Sequence, residues 1–314
     1  MIVCMHSPLP SDESNSMFLS SLSYLTAPGI GLFFMVSGAL LLPAKTDAKT
    51  FLKRRFTKIG IPTIVWTMFY MVCNTPLRDE PMTLRSLLSI PFSPQGNSVL
   101  WFIYTLLGLY LLAPIASYWL KTASRREIEF YLGLWGVTLC FPLLEFVVNV
   151  NEGTTGVLYY FTGYAGYFVL GYYLQTYPER LSYKWLLPAM AVAILAPALC
   201  KVWNVQVDFY SMFWYLSVFV VVQCLFWWKV MCSMTNLLKG HSGTVISIIA
   251  QLTFGVYLVH IFVMRYVLWQ CDFILAIQPY VLQTFVITAL TFAGSLAICW
   301  LISLPPFSKY LIGK

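Results

Sequence analysis

The amino-acid sequence predicts an all-α, polytopic transmembrane helix bundle of about ten spans, since its apolar share suffices for about nine or ten runs of ~20 residues. Two observations support this class. Hydrophobic residues make up 59% of the 314 positions and charged residues only 10%. In soluble domains, about 45–50% of the residues are hydrophobic and about 25% are charged. The apolar runs are also continuous, which argues against an alternating transmembrane β-barrel. A soluble enzyme is excluded.

Nine apolar runs are long enough to cross a bilayer as helices. They are 22–43, 56–75, 98–120, 129–149, 156–176, 184–203, 209–231, 244–268 and 281–304. The segment Met1–His6 is apolar but too short, because five helical residues rise only about 7–8 Å against a core of about 30 Å. We therefore expect a first span that is truncated or incomplete, within a single integral-membrane domain over residues 1–314.

The basic residues predict the orientation. If the loop 44–55 is cytoplasmic and the later spans alternate, 15 of the 19 Lys and Arg residues lie on the cytoplasmic side. The four on the outer side are Arg78, Arg85, Lys201 and Arg265. Such a bias is typical of multi-pass proteins of the inner, cytoplasmic membrane.

Three ionisable residues in or beside the spans are candidates for chemistry, because charge within a membrane is costly and marks function. His6 lies at the outer end of the first segment, where an imidazole can serve as a general base. His260 lies within a span, with Tyr257 one turn earlier, and Glu145 follows Pro142 in another. The alternatives are an interfacial His6 in a loop, a structural His260 and a neutral, hydrogen-bonded Glu145.

A basic run, Phe51–Pro62, marks the point where a span enters the membrane from the cytoplasm. It contains Arg54, Arg55 and Lys58, and residues three or four apart share a helical face. Arg binds phosphate in bidentate fashion and Lys as a point charge, so the cluster suits a phosphate-bearing cofactor. The alternative is a topology anchor that binds the anionic headgroups of membrane lipids.

Nucleic-acid and metal functions are not indicated. The net charge of +7 has no solvated basic domain to go with it. The eight cysteines are scattered, with no CxxC and no His at zinc spacing, so we expect neither a metal nor a disulfide role. Glycines within apolar runs, such as Gly38, Gly163, Gly166 and Gly171, indicate close helix packing rather than phosphate loops.

Six segments together form a recognisable pattern. In chain order they read VCMHS, LFFMVSGALLL, FLKRRFTKIGIP, LWFIYTLLGLYLLAPI, FTGYAGYFVLGYYL and TFGVYLVH. In this order and spacing they resemble the acyltransferase 3 family of integral-membrane bacterial acyltransferases, many of which O-acetylate surface polysaccharides. The resemblance extends from Cys4 to about Phe262, nearly the whole chain.

The resemblance implies transfer of an acyl group, most often acetyl from acetyl-CoA, to a hydroxyl of a cell-surface or lipid-linked saccharide. His6 stands at the family's essential His, which would deprotonate the acceptor or carry the acyl group, with Glu145 or His260 orienting it. Arg55 matches the first member of the family's Arg-x-x-Arg pair, and Lys58 replaces the second. With Arg54, these residues are expected to hold CoA phosphates, although Lys58 lacks the bidentate fork of Arg.

A transporter or flippase for a lipid-linked glycan or a small anion is the rival interpretation, because it explains the apolar bundle and its basic rim equally well. Such proteins commonly contain inverted repeats, and this sequence shows none. The combination of His6 with Arg55 and Lys58 also favours the enzyme. A truncated, inactive family member is a third reading, which follows from the short first segment.

Overall fold

The structure, a computed structural model, describes residues 1–10, 15–74, 83–94, 98–145, 147–150, 153–205, 207–235 and 241–314. Helices account for 78% of it, and these ranges contain no strand. The predicted all-α class is therefore confirmed.

The α-helices of the described residues are numbered in chain order. The first nine are α1 Ile2–His6, α2 Ser16–Thr26, α3 Pro28–Leu41, α4 Ala48–Arg55, α5 Ile61–Asn74, α6 Leu84–Ser89, α7 Trp101–Thr122, α8 Arg125–Thr138 and α9 Phe141–Leu144. The others are α10 Ala165–Thr176, α11 Tyr183–Val202, α12 Phe209–Met212, α13 Val218–Met234, α14 His241–Ile261, α15 Asp272–Leu275, α16 Tyr280–Ile302 and α17 Ser308–Leu311. Two π-helical segments, Phe56–Gly60 and Phe262–Val267, follow α4 and α14 without a break.

Six helical stretches of the described chain are long and apolar enough to span a membrane, and each coincides with a predicted run. They are Ser16–Leu41, Ala48–Asn74, Trp101–Thr122, Tyr183–Val202, Gly243–Gln270 and Tyr280–Ile302. These stretches support a multi-pass membrane protein. The predicted total of about ten spans is not confirmed.

The other three predicted runs, 129–149, 156–176 and 209–231, are interrupted. Pro142 lies in the first turn of the short α9, after the chain has left α8. Gly163, expected in a helix, instead has a φ of +89° in the loop before α10. The Ser217 hydroxyl accepts a hydrogen bond from Val220 N–H and caps α13, a helix of 17 residues. Hydropathy alone does not register such breaks, because proline, glycine and capping serine act through the backbone.

The chain divides into two compact units, each built from several segments. Unit 1 comprises Met1–Ile2, Ser14–Ala44 and Ile115–Leu238, and unit 2 comprises Val3–Glu13, Lys45–Pro114 and Lys239–Lys314.

Close backbone packing of α3 against α10 forms the core of unit 1. A Cβ at Gly38 would lie 1.7 Å from the Phe168 carbonyl oxygen, and one at Gly171 would lie 1.8 Å from that of Met35. No side chain can occupy either position without separating the helices. The packing role predicted for these two glycines is confirmed.

Gly38→Ala is expected to destabilise unit 1 by about 1–3 kcal/mol, the usual effect of overpacking, because the clash is with backbone rather than with a flexible side chain. Thermal unfolding in detergent should show a lower Tm. Gly133→Ala is the matched control, since a Cβ there meets no atom within 4 Å. An equal response of the two variants would contradict the close approach.

Candidate active site

Two imidazoles of unit 2 lie next to each other. The ring centroids of His6 and His260 are 5.7 Å apart, and the ring planes are tilted by 37°. His6 is the last residue of α1 and is half-buried, whereas His260 lies in α14 and is fully buried. The structure thus brings together two predicted site residues from opposite ends of the sequence.

Hydrogen bonds fix the segment that presents His6. The Ser7 hydroxyl, which is fully buried, donates to the Val3 carbonyl oxygen at 2.7 Å. The Tyr280 hydroxyl, at the start of α16, donates to the Leu9 carbonyl oxygen at 2.5 Å. The imidazole of His6 is therefore presented by a held backbone, although α1 itself has only five residues.

The tautomer of His260 follows from the hydrogen bond between its Nδ1 and a backbone carbonyl, which can only accept. Its Nδ1–H donates to the Tyr257 carbonyl oxygen at 2.5 Å, so Nε2 keeps the lone pair. Nε2 is buried and has no hydrogen-bond partner among the described residues. Because an unsatisfied buried polar atom costs free energy, its presence here indicates a place for a polar group or a proton during function.

An inserted side chain sets the local geometry just after His260. In an α-helix the Phe262 N–H would donate to the Leu258 carbonyl. Here the Tyr70 hydroxyl lies between them, donating to the Leu258 oxygen at 2.7 Å and accepting from the Phe262 N–H at 3.2 Å. This insertion accounts for the π-helical segment that begins at Phe262, and such segments are frequent at functional sites.

The π-helical segment contains Arg265, whose sequence position predicts only a charge on the outer side. The Arg265 guanidinium acts electrostatically on both His6 and His260, and it lies 5.7 Å from the centroid of the Trp269 ring. A positive charge within electrostatic range of two imidazoles suits a reaction in which negative charge develops on the substrate.

A cationic cavity of about 690 Å³ lies elsewhere in unit 2. Among the described residues, its lining contains six basic side chains and no Asp or Glu side chain. The lining residues are Thr50, Lys53, Arg54, Arg55, Thr57, Lys58, Lys309, Gly313 and Lys314. All three residues predicted to bind a cofactor are therefore in one site.

The helix that presents this cluster begins earlier than predicted. The Asp47 side chain caps α4 by accepting the Thr50 N–H at 2.9 Å, so the cations lie on a helix and not in a loop ending at residue 55. The Arg55 guanidinium lies 5.7 Å from the Phe51 ring centroid. Arg55 Nε is buried without a partner among the described residues, which leaves a charged donor for a ligand.

A second part of the cavity wall comes from the C-terminal segment, which the sequence analysis did not include. The Trp66 indole N–H donates to the Leu311 carbonyl oxygen at 2.8 Å. Gly313 has a φ of +71°, and a Cβ there would lie 2.4 Å from the Lys58 carbonyl oxygen. This close approach sets Lys309 and Lys314 against the predicted cluster.

Glu145, the third predicted catalytic residue, belongs to unit 1. It follows the short α9, is exposed, and lines a separate cavity of about 320 Å³. Its expected role in orienting His6 stays a prediction.

Comparison with known proteins identifies the class. A family model described as an acyltransferase domain, that of the acyltransferase 3 family, matches residues 1–304. No curated protein and no solved structure gave a significant match. The chain belongs to the acyltransferase 3 family, and with its membrane-spanning helices it is a membrane acyltransferase.

Proposed function

We propose that the protein transfers an acetyl group from acetyl-CoA to a hydroxyl of a cell-surface or lipid-linked saccharide. The observation that supports this most is the presence, in one compact unit, of a cationic cavity and a pair of adjacent imidazoles. Arg55 Nε, an orphaned charged donor, fits a phosphate oxygen, as does the excess of Arg and Lys around it.

The helix from α4 to α5 connects the two sites. Lys58 lines the cationic cavity, and Tyr70 binds the backbone on either side of His260. Twelve residues separate them, which corresponds to roughly 18 Å of helix at 1.5 Å per residue. The extended phosphopantetheine arm of a CoA can cover a distance of this order.

The chemistry assigns a distinct task to each side chain. Acetyl-CoA supplies the thioester. Arg54, Arg55 and Lys58 hold its phosphates, and His6 takes the proton from the acceptor hydroxyl as the ester C–O bond forms and the C–S bond breaks. His6 then returns the proton to the departing thiolate. Arg265 stabilises the negative charge at the acyl oxygen, and His260 orients His6.

A route in which His6 carries the acetyl group uses the same residues. The imidazole attacks the thioester as the C–S bond breaks, and its ring proton passes to the departing thiolate. The acceptor hydroxyl then takes the acyl group from His6, and the hydroxyl proton returns to the imidazole. Both routes require an accessible imidazole, and half-buried His6 meets this requirement where fully buried His260 does not.

Labelling should place the cationic cavity on the cytoplasmic side. In a cysteine-free background, Arg54→Cys is expected to react with an impermeant reagent only after the cells are permeabilised, because the charge bias requires it. Lys201→Cys, on the predicted outer side, should react in intact cells. Labelling of position 54 in intact cells would overturn the orientation.

The C-terminal cations are expected to add to acyl-CoA binding. The double variant Lys309→Ala/Lys314→Ala should raise the KM for acetyl-CoA several-fold, since each exposed charge contact is worth about 0.2–1 kcal/mol. Lys45→Ala/Lys49→Ala is the matched control, because both lysines are exposed and neither lines the cavity. Equal KM values for the two double variants would assign Lys309 and Lys314 no part in binding.

Release of free CoA tests the function itself. Protein in lipid nanodiscs should release CoA thiol from acetyl-CoA faster when a saccharide acceptor is added. The rival, a transporter or flippase, moves its glycan without cleaving a thioester, and family membership does not favour it. Glycan movement with no CoA release would support that rival instead.

A further inference from the structure

A second cavity, in unit 1, has a lining unlike that of the cationic cavity. It has a volume of about 320 Å³, and its described lining combines aromatic rings, hydroxyls and one carboxylate. Its lining includes Glu145, Thr162, Tyr210, Ser211, Trp214 and Tyr215. Nothing in the proposed reaction assigns it a function.

The aromatic side of this cavity is a cluster of three rings. The Trp214 ring centroid lies 5.1 Å from that of Tyr210 and 4.5 Å from that of Tyr215. Tyr210 is 67% exposed, so its ring is available to a ligand. Aromatic faces with a polar edge suit ligands that have both apolar C–H faces and hydroxyls.

The polar side excludes several ligand classes. The Glu145 carboxylate is exposed and makes no hydrogen bond or ion pair with the described residues, and the described lining contains no Lys or Arg. An anion such as a CoA phosphate would therefore be repelled. A lipid chain would leave the carboxylate without hydrogen bonds in an apolar medium.

Two hydroxyls of the lining can accept hydrogen bonds from a ligand. Ser211 Oγ donates to the Asp208 carboxylate at 2.7 Å, and Thr162 Oγ1 donates to the Tyr159 carbonyl oxygen at 2.7 Å. Each hydroxyl hydrogen is used in this way, so the oxygen lone pairs remain. Together with Glu145, the lining offers acceptors to a ligand rich in donors.

The cavity walls are fixed by hydrogen bonds within unit 1. The Trp135 indole N–H donates to the Gly163 carbonyl oxygen at 2.9 Å. The Tyr167 hydroxyl donates to the Tyr215 backbone carbonyl oxygen at 2.6 Å. Gly166 admits the Trp135 ring, since a Cβ there would lie 2.1 Å from it. A wall held in this way is a preformed site, which is usual for small-molecule binding.

We infer that this cavity binds one or two rings of a neutral saccharide. The volume lies at the lower end of the about 300–1,000 Å³ typical of small-molecule sites. Trp214 and Tyr210 stack on the C–H face of the sugar, and Glu145 accepts hydrogen bonds from its hydroxyls. That the bound sugar is part of the acyl acceptor rests on the proposed function.

Direct binding, in the absence of acyl-CoA, tests the inference. Saturation-transfer NMR on the protein in deuterated detergent would use methyl glucoside, methyl galactoside, N-acetylglucosamine and rhamnose as probes. At least one should bind, and Trp214→Ala and Tyr210→Ala should each weaken its binding about tenfold. Trp203→Ala, which removes an indole that is 69% exposed outside the cavity, should leave binding unchanged.

Two results would overturn the saccharide site. One is that none of the four sugars binds. Tetramethylammonium serves as an additional probe, and binding of this cation alone would indicate a cation site instead. The other is equal binding by the parent protein and both aromatic variants; Tyr210 is exposed enough that its loss should not unfold the chain. CoA release is measured separately. Sugar binding without acyl transfer would contradict the proposed function alone. Acyl transfer, with no effect of Trp214→Ala or Tyr210→Ala on sugar binding, would contradict this inference alone.

Discussion

His6→Ala is expected to abolish acyl transfer while leaving expression and membrane insertion intact. A sugar hydroxyl is a poor nucleophile at neutral pH, and a positioned base contributes about 10²–10⁴-fold to the rate. His6 is the accessible member of the imidazole pair, so no other side chain described at that site can replace it directly. The measurement is CoA release, together with the amount of protein in the membrane fraction.

His260 and His241 supply the comparison for this variant. His260→Ala should lower the rate partially, because the buried ring lies next to His6 without reaching the surface. His241→Ala, at the start of α14, should have no effect. Near-normal transfer by His6→Ala, with none by His260→Ala, would invert the two roles.

Arg55→Ala is expected to raise the KM for acetyl-CoA by about 10- to 150-fold. A hydrogen bond to a charged group is worth about 1.5–3 kcal/mol, and 1.4 kcal/mol corresponds to a factor of ten. Arg55 should have the largest effect in the cluster, because its Nε is buried and unpartnered while Arg54 and Lys58 are exposed. Initial rates at varied acetyl-CoA give the KM.

Lys58→Arg is the informative companion to this variant. It should be tolerated or beneficial, because Arg adds a bidentate fork for phosphate. An unchanged KM in Arg55→Ala would assign the cluster to anionic lipid headgroups. Binding to vesicles with and without phosphatidylglycerol would then distinguish the two sources of phosphate.

Local sequence patterns were sufficient to predict part of the site. His6, His260 and the cluster Arg54, Arg55 and Lys58 are visible because charge is rare in an apolar chain, and the structure gathers them into two clusters of unit 2. Their catalytic and binding roles stay predictions.

Other features of the site depend on contacts between distant segments. The Tyr70 hydroxyl inserts into the backbone hydrogen bonding next to His260. The close approach of Gly313 to Lys58 brings the C-terminal lysines to the basic cluster. Neither has a local signal, although the glycine before Lys314 marks a position that permits a positive φ. Arg265 had a weak signal, as a lone cation at the end of a span.

The helix pattern shows the same division. Hydropathy located the six long spans because burial in lipid requires apolar residues throughout. It did not locate the breaks at Pro142, Gly163 and Ser217, which arise from backbone conformation and capping. The early start of α4 was readable in principle, since Asp47 is a standard capping residue.

Sidedness of the donor is the most direct test of the central claim, that an acyl group passes from a cytoplasmic CoA to a saccharide. Inverted membrane vesicles, with the cytoplasmic face outward, would receive impermeant acetyl-CoA carrying a radiolabelled acetyl group. We expect a base-labile label in the saccharide fraction with the parent protein and none with His6→Ala. A saccharide fraction that stays unlabelled with the parent protein, or that is labelled equally with His6→Ala, would contradict it.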